Sequence, residues 1–281
     1  MLSQDNPLCR IKNILESYNS KPSDSKPSPF LLLLDIDGTI SEFTLHPDDS
    51  FIAPKILSTL SKLQDQLSLY FVTGRSIQQA QNMIAPFDWN IIGSHGLEIY
   101  QNAELSLLSP FNTAQLAQLN QFINESFDKN GSVFIEHKTY STAIHFREQP
   151  ELHKQIKSFA SQCAERFNQF EVKAGKYVFE LVPKGILKGK AIDLLIQDND
   201  FKEKIPIFIG DDITDESGFD VVNCYEGISI KVGIGNTHAS YRLNDVTAVQ
   251  NFLIDLCTGL QQQELSIGET GEKYVKTHCT I

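Results

Sequence analysis

The sequence predicts an α/β protein: a doubly wound parallel-sheet core, split by an inserted α+β domain. Three observations carry that expectation. Phe30-Leu-Leu-Leu-Leu34 is a short apolar run that breaks abruptly into Asp35-Ile-Asp37-Gly38-Thr39. Such a run reads as a strand buried on both faces, hence central in a parallel sheet. Strand-like and helix-like segments alternate up to about residue 107 and again over 185–260, the rhythm of strands joined by crossover helices. Between them, 108–184 mixes helices with strands of antiparallel pattern.

Residues 1–29 read as an extension. Ile11 to Tyr18 carry the spacing of a short amphipathic helix, and Ser20 to Pro29 has the proline-rich composition of a linker. The first strand is 30–35. Pro54–Leu67 follows as a helix, with apolar residues at Ile56, Leu57, Leu60, Leu63 and Leu67. The second strand, Leu69–Val72, ends in Thr73-Gly74-Arg75, and Ser76–Ile84 reads as helix. The third, Asn90–Ile92, ends in Gly93-Ser94-His95-Gly96. The insertion is expected to hold helices Thr113–Phe127 and Leu152–Phe167. Its strands are Val133–His137, Thr142–Arg147, Phe170–Val172 and Tyr177–Leu181. The core then resumes with helix Gly189–Ile196 and strand Ile205–Ile209, which ends in Gly210-Asp211-Asp212. Strand Gly227–Val232 and helix Thr247–Leu260 complete it. The expected map is an extension over 1–29, a core over 30–107 and 185–260, an inserted cap over 108–184, and a polar tail over 261–281.

Composition narrows the function. The chain has 281 residues and a net charge of −11, which argues against binding a nucleic-acid backbone. It leaves room for a small phosphorylated ligand, since a local cluster or a metal overrules net charge. The five cysteines are scattered and odd in number, so neither a disulfide framework nor a zinc site is indicated. The expectation is a cytoplasmic, monomeric protein without signal peptide or membrane span.

Four polar clusters fall at strand ends or just before a core helix: Asp35 and Asp37, Thr73-Gly74-Arg75, Lys188, and Gly210-Asp211-Asp212-Ile-Thr-Asp215. Carboxyl ends of parallel strands share one edge, so these clusters should converge. Asp35 and Asp37, two apart, sit on one side of the strand at a separation of roughly 6–7 Å. Carboxylates from two strands suit Mg²⁺. A hydroxyl, a helix-start N–H and a lysine suit phosphate, and an aspartate can act as a nucleophile toward phosphorus. Together they read as metal-assisted phosphoryl transfer.

The same residues resemble the haloacid dehalogenase-like phosphotransferases, whose pattern is D-x-D-G-T, a strand-end Thr or Ser, a lysine and G-D-D-x-x-D. The resemblance implies a Rossmann-like core and a mechanism. Asp35 would form an aspartyl phosphate. Asp37 would protonate the leaving oxygen and later deprotonate water. Asp35, the Asp37 carbonyl and Asp211 would hold Mg²⁺, with Asp215 steering a coordinated water. Thr73, Gly74 and Lys188 would bind the phosphate.

In the insertion, Glu136 and Lys138 share a strand face by alternation, Arg147 is expected on a neighbouring strand, and Lys176 and Glu180 share a face if their strand is regular. Interspersed charges suit sugar hydroxyls. A solvated face with cross-strand ion pairs accounts for the same pattern, and the residues by themselves leave both open. The set G-x-H-G-x-E, E-x-K, G-K-x-x-x-E-x-x-P, K-G and G-D-D-x-T-D-E, with Val232–Leu243, is similar to the trehalose-6-phosphate phosphatase family over about 30–260. That likeness implies Mg²⁺-dependent hydrolysis of trehalose 6-phosphate. Glu136, Lys138, Arg147, Lys176 and Glu180 would grip the sugar on cap closure about hinges near 105–110 and 182–187. Arg75 and His95 would shape the inner pocket. The alternatives are a phosphatase for sucrose 6-phosphate or mannosyl-3-phosphoglycerate, or a non-catalytic sugar-phosphate-binding module.

Overall fold

The computed structural model describes residues 6–19, 28–42, 44, 49–127, 133–175 and 177–269. The chain divides into two compact units, one drawn from the chain up to Ser106 and from Leu187 onward, the other from Leu107–Ile186.

The first unit opens with helix α1 (Pro7–Asn19) and strand β1 (Phe30–Leu34), then continues through α2 (Pro54–Gln64), β2 (Ser68–Val72), α3 (Ile77–Ile84), β3 (Asn90–Gly93), β4 (Glu98–Gln101) and β5 (Glu104–Leu107). In the second unit, α4 (Thr113–Ser126), β6 (Phe134–His137), β7 (Thr142–His145), α5 (His153–Arg166), β8 (Phe170–Gly175) and β9 (Val178–Pro183) follow. The first unit resumes with α6 (Lys188–Ile196), β10 (Ile205–Gly210), α7 (Glu216–Cys224), β11 (Ile228–Val232), β12 (Tyr241–Leu243) and α8 (Val246–Glu269).

Among the described residues, eight strands form the first sheet, in the order β12-β11-β10-β1-β2-β3-β4-β5. The pairs from β12 through β3 are parallel, and β3–β4 is antiparallel. All five residues of β1 are fully buried, as its unbroken apolar run requires. Phe30, Leu32 and Leu34 join a core cluster with Ile11 and Leu15 of α1, Leu60 of α2, Ala80 of α3 and Leu253 of α8. The opposite face is covered by α6 and α7, where Phe208 of β10 lies 5.3 Å from the ring of Phe219. From β1 the chain winds one way through β2 and β3, and from β10 the other way through β11 and β12. The switch point therefore lies between β1 and β10, where open α/β sheets form their ligand crevice.

In the second unit an antiparallel sheet ordered β6-β7-β9-β8 packs α4 and α5 on one face. Ile144, Phe179 and Leu181 alternate into that core with Leu119, Ile123, Ala160 and Cys163.

Several elements differ from the sequence expectation. The core sheet is mixed, because β4 turns back on β3 after the Ser94-His95-Gly96 turn. The N-terminal helix begins at Pro7 and buries Ile11 and Leu15 in the main core, so this part of the extension is structural. The final helix runs past residue 260 to Glu269. The strand expected to carry Arg147 stops at His145, and α7 and β12 had not been read from the sequence.

Ile11→Ala should destabilise the protein by about 2–4 kcal/mol, the usual cost of truncating a buried aliphatic side chain, seen as a lower urea midpoint. An unchanged midpoint would show that α1 does not hold to the core in solution.

Candidate active site

The site grows from the carboxyl ends of β1 and β10. The Asp35 N–H donates to Ile209 O at 3.0 Å, continuing the β1–β10 ladder one residue past the strand and fixing where the Asp35 carboxylate stands. The chain then turns at once. Gly38 has φ +76, and a Cβ on it would collide with the Asp211 carboxylate. Glycine is required both for the turn and for the close approach. Thr39, Ile40 and Ser41 return their N–H groups to Ile36 O.

Lys188, first residue of α6, is buried with its ammonium between two carboxylates, 2.7 Å from Asp35 Oδ1 and 2.8 Å from Asp215 Oδ1. Burial works against the charge of this lysine, but Asp215 and Asp35 outweigh it and hold its pKa above the ordinary lysine range. Burial drives the Asp35 carboxyl well above its usual range. Lys188 opposes that shift, whereas Asp215 and Asp211 add to it. Asp211 is pushed up to about 6, by burial first and then by Asp215 and Asp212. With three carboxylates around one ammonium, full ionisation would leave negative charge that Lys188 does not neutralise.

Asp215 is wholly buried and also organises the backbone. Its Oδ2 accepts from the N–H groups of Asp211 and Asp212, both at 3.0 Å. Carboxylate oxygens of Asp35, Asp211 and Asp215 lie within 4.8 Å of one another. An oxygen-only donor set with excess negative charge fits a hard divalent cation, Mg²⁺ above all. The Asp37 side chain is engaged elsewhere.

That engagement is with Arg75. Its Nε donates to Asp37 Oδ2 and its Nη2 to Asp37 Oδ1, each at 2.6 Å, and Ser50 Oγ adds a bond at 3.1 Å. Thr73 is buried just past β2, and its hydroxyl accepts from the Arg75 N–H at 3.1 Å. Gly74 packs against the His95 ring, where a Cβ would clash. The His95 N–H donates to Thr73 O and the Ser94 N–H to Arg75 O, so the turns after β2 and β3 brace each other. Buried Glu98 completes the brace by accepting from the Ile77 N–H at the start of α3 and from Ser94 Oγ.

In the second unit, the sheet face away from α4 and α5 carries a row set by register: Glu136, Ala143, Glu180 and Lys173 stand side by side. Lys138 Nζ and Ser141 Oγ both donate to Glu180 Oε1, at 3.0 and 2.5 Å. His145 Nε2 lies 2.9 Å from Glu136 Oε2, and this hydrogen bond is the main cause holding the Glu136 carboxyl below its usual range. Phe134, on the same face, is largely exposed with its ring 5.6 Å from that of His145.

Among the sites expected from sequence, Asp35, Asp211, Asp215 and Lys188 form one cluster, and Thr73, Gly74, Arg75, His95 and Asp37 form a second set of direct contacts. Glu136, Lys138 and Glu180 share a neighbourhood in the second unit. Arg147 is exposed in the turn after β7 rather than on a strand, because the strand ends two residues earlier. Lys176 lies outside the described residues. The sequence reading passed over Ser50, Ser141, His145 and Lys231. Among these, only Lys231 left a signal, as a charged residue inside an otherwise buried strand.

A haloacid dehalogenase-like hydrolase from Bacteroides thetaiotaomicron matches with a TM-score of 0.62 at 17% identity, covering 82% of this chain and 100% of that one, a likeness of fold. What the two share is the doubly wound sheet, at whose switch point this chain sets its aspartates and lysine. A crystal structure of a trehalose-6-phosphate phosphatase related protein matches with a TM-score of 0.70 at 28% identity, over 83% of this chain and 99% of that one. The trehalose-6-phosphate phosphatase of Escherichia coli is 32% identical over 231 residues, 82% of this chain and 87% of its own. The family model described as trehalose-phosphatase matches residues 33–247. The chain belongs to the trehalose-phosphatase family.

The charge excess predicts a pH response. Because the folded value of Asp211 lies above the ordinary carboxylate value of roughly 4, its protonated form favours the folded chain. That contribution is complete below the ordinary value and is lost as pH rises through about 6. In EDTA, the melting temperature should therefore fall on this group's account over that window. Mg²⁺ should stabilise more at about pH 7 than at about pH 5. Melting indifferent to Mg²⁺ at both values would contradict a cation at this cluster.

Proposed function

We propose that the protein hydrolyses trehalose 6-phosphate to trehalose and phosphate through a phosphoaspartate on Asp35, with Mg²⁺ as cofactor. The observation that carries this reading is the buried Lys188 bridging Asp35 and Asp215 beside Asp211. A nucleophilic carboxylate, a cation for phosphoryl oxygens and an acidic metal pocket stand together there. Family membership supplies the sugar.

An Asp35 oxygen attacks phosphorus while the bond from phosphorus to the sugar oxygen breaks. Asp37, two residues on at the mouth of the turn, gives a proton to the departing oxygen. It later takes one from the water that attacks the phosphoaspartate, returning Asp35 as carboxylate and releasing phosphate. Lys188, the Thr73 hydroxyl and the Gly74 N–H hold the phosphoryl oxygens and offset charge as it develops. Arg75 donates to both oxygens of Asp37, so it steadies the carboxylate form that exists after that proton has left and before water supplies the next. Asp35, Asp211 and the Asp37 carbonyl, with Asp215 behind them, would hold the ion, which would supply Lewis-acid stabilisation and charge shielding.

In the second unit, Glu136, Lys138 and Glu180, with Arg147 and Lys176, are proposed to bind the sugar hydroxyls. The Lys138–Glu180 and Glu136–His145 pairs are only partly buried. Such pairs contribute roughly 0–1 kcal/mol to stability, so exchanging them for hydroxyl contacts costs little. The four described cysteines are free thiols, the state kept in a reducing cytoplasm, and no described helix is long and apolar enough to cross a membrane. The protein is read as a cytoplasmic monomer acting on a small molecule, with no nucleic-acid partner.

Phosphate release with Mg²⁺ should be much faster from trehalose 6-phosphate than from sucrose 6-phosphate, glucose 6-phosphate or mannosyl-3-phosphoglycerate, and Asp35→Asn should abolish it. Preference for another of these esters would overturn the sugar assignment. Turnover surviving in Asp35→Asn would overturn the covalent route. Glu180→Ala should lower kcat/KM for trehalose 6-phosphate at least about tenfold, the scale of one lost charged hydrogen bond, while sparing an aryl phosphate. Equal losses on both would remove Glu180 from sugar recognition.

A further inference from the structure

Lys231 is a lysine in the interior of the core. It lies in β11, all five residues of which are buried, and is itself 6% exposed. Alternation explains its direction. Ile228, Ile230 and Val232 enter the core cluster with α1, α2, α3 and α8, so Ser229 and Lys231 point to the other face. In register, Lys231 stands beside Gly210, the residue before Asp211. Its ammonium donates to the main-chain oxygen of Asp211 and, at 2.6 Å, to that of Val232.

We infer that Lys231 is a positioning residue for the divalent cation: by holding the Asp211 carbonyl it fixes the direction of the Asp211 carboxylate. The inference rests on the reading of Asp35, Asp211 and Asp215 as the cation site. Asp211 is held from three sides. Asp215 Oδ2 takes its N–H at 3.0 Å, Lys231 takes its carbonyl, and the Gly38 turn backs against its carboxylate. With both ends of the residue clamped, the carboxylate has few directions left, and an ion that needs near-ideal octahedral geometry binds a ligand already in place.

A lysine suits this task because its ammonium carries several donors on a long stem, and here one ammonium reaches two main-chain oxygens, those of Asp211 and Val232. Residues that orient a metal ligand from behind matter to affinity: their loss weakens metal binding by roughly 10–100-fold.

The test is Mn²⁺ binding to the full chain, read directly from the electron paramagnetic resonance of the free ion, in wild type and in Lys231→Met. Methionine keeps the length and apolar stem and removes the donor. The expected result is a dissociation constant raised at least about tenfold in a variant that remains folded by circular dichroism. A filler of the core would lower the melting temperature in EDTA and leave Mn²⁺ affinity of the folded chain alone. Affinity within about twofold of wild type would overturn the role of Lys231 while leaving the cation site intact. Wild type that binds no Mn²⁺ would overturn the cation site and this inference with it. Should Lys231→Met not fold, the wild type still decides. The ¹⁵Nζ resonance of Lys231 should shift when Mg²⁺ is added, and a resonance that stays in place would overturn the inference.

Discussion

A buried lysine between two aspartates is the constraint on which this active site depends. Moving an ammonium and two carboxylates out of water costs on the order of several kcal/mol per ion, and only close, well-aligned contacts repay it. The Lys188 contacts at 2.7 and 2.8 Å meet that demand. They also tie the start of α6 to the end of β1 and to the turn before α7, 153 and 27 residues away in the chain. The arrangement stays unbalanced. Asp211 and Asp35 remain difficult to ionise, so the pocket is ready for a cation and for an electrophile that takes up negative charge.

Around that centre, precision comes from backbone rather than from side-chain packing. Asp35 extends the strand ladder, Gly38 turns the chain under the Asp211 carboxylate, and Asp215 spans two consecutive N–H groups. The turns after β2 and β3 lock together through main-chain bonds and Glu98. Strand ends in a parallel sheet suit this division of labour: the sheet is rigid, while the residue just past each strand is free to carry chemistry.

The second unit follows a different logic. Its helices bury one face of the sheet, and the other keeps charged residues in partly exposed pairs. These pairs add little stability, yet they hold carboxylates, an ammonium and an imidazole within reach of one another on a fixed surface. Under the proposed function, the desolvated cluster of charges serves phosphoryl chemistry and the wetted face of exchangeable hydrogen bonds serves the hydroxyls of the sugar.

Local pattern was enough to reveal β1 as a central strand, the alternation on both sides of the insertion, and Asp35, Asp37, Asp211 and Asp215 as strand-end carboxylates. Each depends on apolar periodicity or on a break in it, and both are written in consecutive residues. Lys188 was read with them from its place just before a core helix, a weaker signal that the family likeness strengthened. Partners could not be read that way. Arg75 on Asp37, Ser141 on Glu180, and His145 in the place expected for Arg147 all depend on strand register and on where a strand stops. The docking of α1, the reversal of β4 and the reach of Lys231 to the Asp211 carbonyl are of the same kind. Sequence determined which chemistry the chain carries and at which strand ends. Only the tertiary structure decided which charges meet, because that is set by contacts between residues far apart in the chain.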